Sequence, residues 1–297
     1  MNRRFFQFAM WLPWVTAPVI AAGYWMAWDR LPARMATHFN AAGQANGWMT
    51  REMSMVFGAG ILLLMLAIFS GITAVVLRKR SSDTGVLALL VLLYWVIGIL
   101  FYANLSILSY NLTGQPVEMN WAVILTPIVV LLFMALYLAS QRGKPLQSDG
   151  WMAEEVHASP FFAAVFVIPL LTQLVIMSRM PSAGMQLGSA LLSLLFVLIA
   201  VQAWTGFHYR FGQAGVEIST LGFRLRSIPV PEIEKYGVEK WSWWRGYGIR
   251  GVGDSRAYVW GNKVVHITTT AGDVFLGHND PERVVRDLDM IAGKRAG

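Results

Sequence analysis

Six runs of 19 to 25 residues, each without Asp, Glu, Lys, Arg or His, fill most of the first 205 positions of this 297-residue chain. They are Phe5–Trp28, Met53–Leu77, Gly85–Ser109, Asn120–Ala139, Pro160–Ser178 and Ala183–Thr205. A helix rises about 1.5 Å per residue, so about 20 apolar residues cross a hydrocarbon core of about 30 Å. Every run reaches or nearly reaches that length. A soluble helix shows a polar face at a period of about 3.6 residues, whereas these runs are apolar all round. A charge at the bilayer centre costs upward of about 2.5 kcal/mol, which accounts for the missing charges. The expectation is an all-α transmembrane bundle of six spans with the lipid bilayer as its principal partner.

What remains excludes much chemistry. The chain has no cysteine, which removes disulfides, thiolate metal sites and cysteine nucleophiles. Its formal charge of +7 is divided between the two parts: 11 Lys/Arg against 7 Asp/Glu in residues 1–205, and 13 against 10 in residues 206–297. That balance gives no basic footprint for nucleic acid, and none is expected as a partner. Residues 206–297 hold no nucleophile elbow, phosphate loop or metal cluster, and no catalytic residues, metal or cofactor are expected, so the chain is not read as an enzyme.

Loop charges set the orientation, because positive segments resist translocation. One set of alternate loops holds Arg3, Arg4, Arg78, Lys79, Arg80, Arg142 and Lys144; the other holds Arg30, Arg34, Arg51 and Arg179. With six spans, both termini then lie in the cytoplasm. A cleaved signal peptide is the competing reading of the first run, given Arg3-Arg4 and the small residues Ala21-Ala22-Gly23. The length of the run and its Pro13 and Pro18 favour a span. Sequons at Asn104 and Asn111 recur too easily by chance to be assigned a role.

Composition shifts abruptly at Gly206. Short β-branched segments follow at Val216–Ser219, Phe223–Ile228, Lys235–Trp241, Ala257–Trp260, Val264–Thr270 and Val274–Leu276, the pattern of a small antiparallel barrel or sandwich. Gly261-Asn262 and Ala271-Gly272-Asp273 read as hairpin turns. Asp280, Pro281 and Glu282 then open a helix that buries Val284, Val285, Leu288 and Ile291. Three parts are expected: residues 1–80 with two spans and an outer loop, 81–205 with four further spans, and a cytoplasmic domain over 206–297.

This tail resembles the bacterial pleckstrin-homology-like (PH-like) domains. The likeness runs through Gly215–Ile218, Arg226–Ile233, Gly246–Arg250, Ala257–Gly261 and Asp280–Glu282. It implies a β-barrel capped by a helix, used for ligand or protein contact. The stretch Leu31-Pro32-Ala33-Arg34-Met35-Ala36-Thr37-His38-Phe39-Asn40, followed by Gly43, Asn46, Gly47 and Trp48, carries a second resemblance. It is similar to the loop of a bacterial domain of unknown function with the pattern LP-x-x-[IM]-[PA]-x-H-[FW]-N-x-x-G-x-x-[DN]-[GR]-[WYF]. Ala36 stands where proline is usual, and Asn46 where Asp is common. That domain opens membrane proteins similar to the Sdp-type immunity and signalling protein of Gram-positive bacteria. The resemblance covers about residues 10–75 and implies location in the bacterial inner membrane.

Two groups of residues are candidate sites. The outer loop collects Pro32, Arg34, His38, Phe39, Asn40, Gly43, Asn46 and Gly47. Gly43 and Gly47 are expected to turn with positive φ. His38 and Asn40 either recognise an external ligand such as a peptide, or satisfy backbone groups in a structured turn. Lys240, Trp241, Trp243, Trp244 and Arg245 form the second group, suited to a partner or an anionic membrane surface. At period 2, Trp241 and Trp243 share a face, so part of the cluster is open to being core. Glu154-x-x-His157 is half of a di-metal motif without a second copy, and Gly150–Ala158 reads as an interfacial segment. Asn104, Ser106, Thr126, Thr172, Gln173 and Gln202 are expected to link spans by hydrogen bonds.

The functional expectation is a binding or signalling protein that senses or sequesters an external ligand or toxin peptide. A transporter of a small solute is the alternative, and would need Asn104, Gln173 or Gln202 for uptake. A membrane enzyme is third, and would need His38 for turnover. No intramembrane carboxylate and no inverted repeat favours transport.

Overall fold

The computed structural model describes residues 3–40, 43–78, 83–118, 120–141, 145–146, 150–180, 183–251 and 254–293. Lys79, Arg80, Arg142 and Lys144 of the charge pattern, and Ala41 and Ala42 of the loop pattern, lie outside them.

Six helical stretches are long and apolar enough to cross a membrane. The first combines α1 (Arg3–Trp11) and α2 (Thr16–Ala27), joined by a 3-10 turn over Leu12–Val15 that begins around Pro13. Proline lacks the N–H that an uninterrupted α-helix needs there. A hairpin follows, β1 (Arg34–Phe39) and β2 (Ala45–Thr50), before α3 (Arg51–Arg78) and α4 (Asp83–Thr113). Next come α5 (Asn120–Gln141), strand β3 (Ala153–His157), α6 (Pro160–Met177) and α7 (Ala183–Thr205). The described residues fall into two compact units. One lies within Met1–Arg78, Asp83–Leu136 and Met177–Leu191, the other within Tyr137–Ile176 and Leu192–Gly297.

In the first unit, small and polar residues let α3 and α4 approach. A Cβ on Gly58 would sit 2.2 Å from Asn104 Oδ1, so only glycine leaves room for that amide. Trp14 Nε1 donates to Ser70 Oγ at 3.0 Å, joining the first span to α3. Three of the six polar residues expected to link spans bond within their own helices. Asn104, Thr126 and Thr172 donate to the carbonyls of Leu100, Ala122 and Ile168, four residues back on their own helices. In lipid, the nearest free acceptor for such a donor is its own helix.

The second unit contains all the remaining strands. They are β4 (Phe207–Gly212), β5 (Gly215–Thr220), β6 (Phe223–Pro229), β7 (Ile233–Lys240), β8 (Gly248–Arg250), β9 (Arg256–Val259), β10 (Lys263–Thr269) and β11 (Asp273–Gly277). Helix α8 (Pro281–Ala292) closes the chain with Val284 and Leu288 fully buried. The strands form two sheets, β3-β4-β5-β6 and β7-β10-β11-β9-β8. No pairing joins the sheets among the described residues, so they are not closed into the expected barrel.

Two further corrections concern pairing. β9 runs parallel to β11, which lies between β9 and β10 and is antiparallel to β10. Gly261-Asn262 therefore connects unpaired strands and is no hairpin turn, whereas Ala271-Gly272 does turn β10 into β11. The segment expected at the interface is β3, an edge strand paired antiparallel to β4 from Ala153↔Phe211 to His157↔Phe207. Its backbone and alternate side chains are committed to the sheet. The core collects Phe207, Tyr209 and Phe211 of β4 with residues of both sheets, α8, and the membrane-helix residues Ala163 and Ala203.

Candidate functional site

The loop between the first two spans is a docked β-hairpin. Its register pairs Arg34 with Thr50, Ala36 with Trp48, His38 with Gly47 and Phe39 with Ala45, with an irregularity on either side of His38. The turn is held by its own residues: Asn40 N–H donates to Gln44 O at 2.9 Å, and Gln44 N–H donates to Asn40 Oδ1 at 3.0 Å. Gly43 has φ of 73°, and a Cβ there would also lie 2.7 Å from the Val117 carbonyl. Gly47 serves differently from expectation. It is strand, and a Cβ would lie 2.9 Å from His38 Cβ, so it gives the histidine room.

Two contacts fix this hairpin to α4, and a third ties the start of α3 to the end of the first span. Asn111 of α4 accepts from Ala36 N–H at 2.8 Å and donates to Ala36 O at 2.9 Å. A side-chain amide thus completes the free edge of β1 as a neighbouring strand would. Phe39 meets Tyr110 edge to face, with ring centroids 4.8 Å apart. Arg51 donates to Trp28 O at 2.8 Å and lies over the Trp28 ring at 4.3 Å.

Beneath the hairpin, between α3 and α4, lies a cavity of about 140 Å³. Thr37 and His38 line it from β1, with Met49 from β2, Ser54 and Phe57 from α3 and Asn104 from α4. His38 is exposed, with Nδ1 3.2 Å from Thr37 Oγ1. Pro32, Arg34 and Asn46 are exposed and outside the cavity lining. Asn40 is spent on the turn, while His38 reaches the cavity. The loop motif is thus split between architecture and lining.

Residues 15–64 match the family model described as a domain of unknown function (DUF1648). The match spans α2, the hairpin and the first half of α3, and so includes every contributor to the cavity except those of α4. No curated protein and no solved structure matches the chain.

The tryptophan cluster is also split. β7 ends at Lys240 and Trp243–Arg245 is a 3-10 turn, so alternation does not govern its faces. Trp241 is core at 4% exposure, its Nε1 donating to Gly246 O at 2.8 Å. The Arg245 guanidinium lies 3.9 Å over the Trp241 ring, and Trp243 and Trp244 remain 77% and 73% exposed.

A third polar cluster was not foreseen. Glu155 and His157 point inward from β3, while Val156 between them is 43% exposed. Glu155 takes Arg283 Nη2 at 2.8 Å and His278 Nε2 at 3.3 Å, which satisfies a nearly buried carboxylate. His157 Nε2 accepts from Trp260 N–H at 2.9 Å, so its neutral ring carries the proton on Nδ1. Burial, reinforced by the neighbouring His278, pulls the His157 ring down to about 4. Burial and the nearby Glu155 charge push the Asp287 carboxyl up. The inverted alternation conceals this cluster in sequence, because an inward Glu and His around an outward Val resemble a solvated strand. Glu154 and His157 face opposite sides of the sheet, and no group able to hold a metal is found among the described residues.

Proposed function

We propose that this multi-pass protein is a membrane receptor or sequestering protein, whose hairpin cavity takes an apolar group presented by an external ligand such as a toxin peptide. The observation that supports this most is the cavity beneath the hairpin: apolar walls, with Thr37 and His38 at the hairpin and Ser54 and Asn104 on the helices. That combination suits a side chain or acyl group carrying one polar tip. On the loop-charge reading, the hairpin faces outward and the C-terminal domain lies in the cytoplasm, in the inner membrane of a bacterium. The order of strands followed by a C-terminal helix supports the PH-like reading, while the two sheets lack the closure of a barrel. The domain's exposed tryptophans supply contact to a partner or a membrane.

The test uses cells carrying the native chain, His38→Ala, or Ala103→Leu, which fills the cavity from its α4 wall, exposed to a panel of secreted antimicrobial peptides. Native cells should resist or respond to at least one peptide, and both variants should lose this while inserting normally. If all three match cells without the chain, the receptor reading fails. A reporter fused after Gly114 should be active only outside, and one after Gly297 only inside; the reverse would exchange the two faces.

A further inference from the structure

We infer that the loop between β7 and β8 inserts Trp243 and Trp244 into the headgroup layer of an anionic membrane, in the leaflet from which α6 departs. This deepens the contact role proposed for the C-terminal domain, rests on that role, and commits it to lipid. The external site plays no part in it.

The level of the loop is set by α6. Phe162, in the first turn of that span, lies with its ring 4.7 Å from Tyr247 and 5.3 Å from Trp260. The apolar run begins at Pro160, so Tyr247 stands where hydrocarbon gives way to headgroups. Trp244 precedes Tyr247 by three residues, a separation of at most about 10 Å in extended chain. The headgroup region on each side is roughly 5–7 Å thick. The tryptophan pair is therefore within reach of it.

The loop is also built to display these rings. Trp241 is driven into the core and pinned by its bond to Gly246 O, with Arg245 stacked over it. The next two tryptophans are held out on a 3-10 turn. Side chains of this type accumulate at membrane interfaces, where an apolar ring and a polar N–H are both accommodated. Trp204 in the last turn of α7 and Phe161 in the first turn of α6 are 65% and 71% exposed, as an aromatic belt requires. Charge agrees with an anionic surface. Lys240, Arg245 and Arg250 flank the pair, and the nearest carboxylate on β7, Glu239, lies 2.8 Å from His266 Nδ1. Basic side chains at this depth favour anionic lipid.

Because the chain lacks cysteine, one introduced thiol gives a unique label. The full-length protein carrying Ser242→Cys is spin-labelled in nanodiscs of phosphatidylcholine with phosphatidylglycerol. Collisions with oxygen, which partitions into lipid, are compared with those of a water-soluble nickel chelate. The reference is Ala271→Cys, at the far end of β10, about 20 Å along the strand from Lys263 at about 3.4 Å per residue. The label at 242 should be shielded from nickel and open to oxygen, whereas the label at 271 meets nickel freely. Trp243→Ala with Trp244→Ala should restore nickel access at 242 without unfolding, since both rings are exposed. Pure phosphatidylcholine should weaken the shielding severalfold. Equal nickel access at 242 and 271 would overturn the inference. So would shielding at 242 from both reagents in detergent and nanodisc alike, which marks a protein contact. Shielding indifferent to phosphatidylglycerol would remove the anionic preference.

Discussion

Replacing Asn111 with alanine removes both halves of the amide clamp on Ala36, at 2.8 and 2.9 Å, and leaves the edge of β1 facing a methyl group. Ala36 is only 3% exposed, so water does not simply take over. A typical hydrogen bond contributes about 1 kcal/mol net, and a buried polar group left without a partner costs about 1–3 kcal/mol. Taking about 1–2 kcal/mol for each of the two groups puts the loss at roughly 2–4 kcal/mol, all of it against hairpin docking. At about 1.4 kcal/mol per tenfold, the undocked population rises roughly 30- to 700-fold. Hydrogen exchange of the full chain in nanodiscs reads this directly. Peptides covering 31–50 should exchange faster by that factor, while those covering 281–292 keep their native protection. Thr113→Ala is the control, because Thr113 donates to Ser109 O on its own helix. An Asn111→Ala hairpin as protected as the native one would refute the clamp.

Other substitutions bear on the second unit. Leu221 has φ of 49° in the two-residue turn between β5 and β6, followed by Gly222 at 76°, so Leu221→Asn should stabilise the domain by about 1 kcal/mol in thermal unfolding. Trp241→Ala should cost about 3–5 kcal/mol, whereas Trp243→Ala should stay within about 0.5 kcal/mol, each read as a shift in denaturation midpoint. Because the folded His157 sits at about 4, below its ordinary 6.5, the unfolded chain binds more protons between those values. Stability should therefore fall as pH drops from 6.5 towards 4, by up to about 3 kcal/mol, and His157→Gln should flatten that slope. Asp287, raised by burial, acts in the opposite direction at the acidic end and reduces the net effect.

The spans were legible because their signal is a plain length of uncharged sequence, and the helix begun by Asp280 and Pro281 because its start is local. Six tail strands were legible from β-branched runs. β4 went unread although Phe207, Tyr209 and Phe211 alternate with His208 and Arg210, because it follows α7 with only Gly206 between. β3 could not be read at all: its partner lies about 50 residues on, across two spans, and its inward residues are charged or polar. In the hairpin, the His-Phe-Asn motif drew notice to His38 and Asn40. The residue that fastens them is Asn111, about 75 positions away, whose importance depends on facing an open strand edge.

The pairing His157↔Phe207 has a mechanical consequence. β3 runs into α6 and α7 runs into β4, so two neighbouring strands of one sheet continue as two rods in the bilayer. Sliding one rod lengthwise past the other would drag the strands out of step, and a single step turns every side chain to the wrong face. The pair is thereby geared to the sheet: piston motion between its members is opposed by the cost of breaking the strand register.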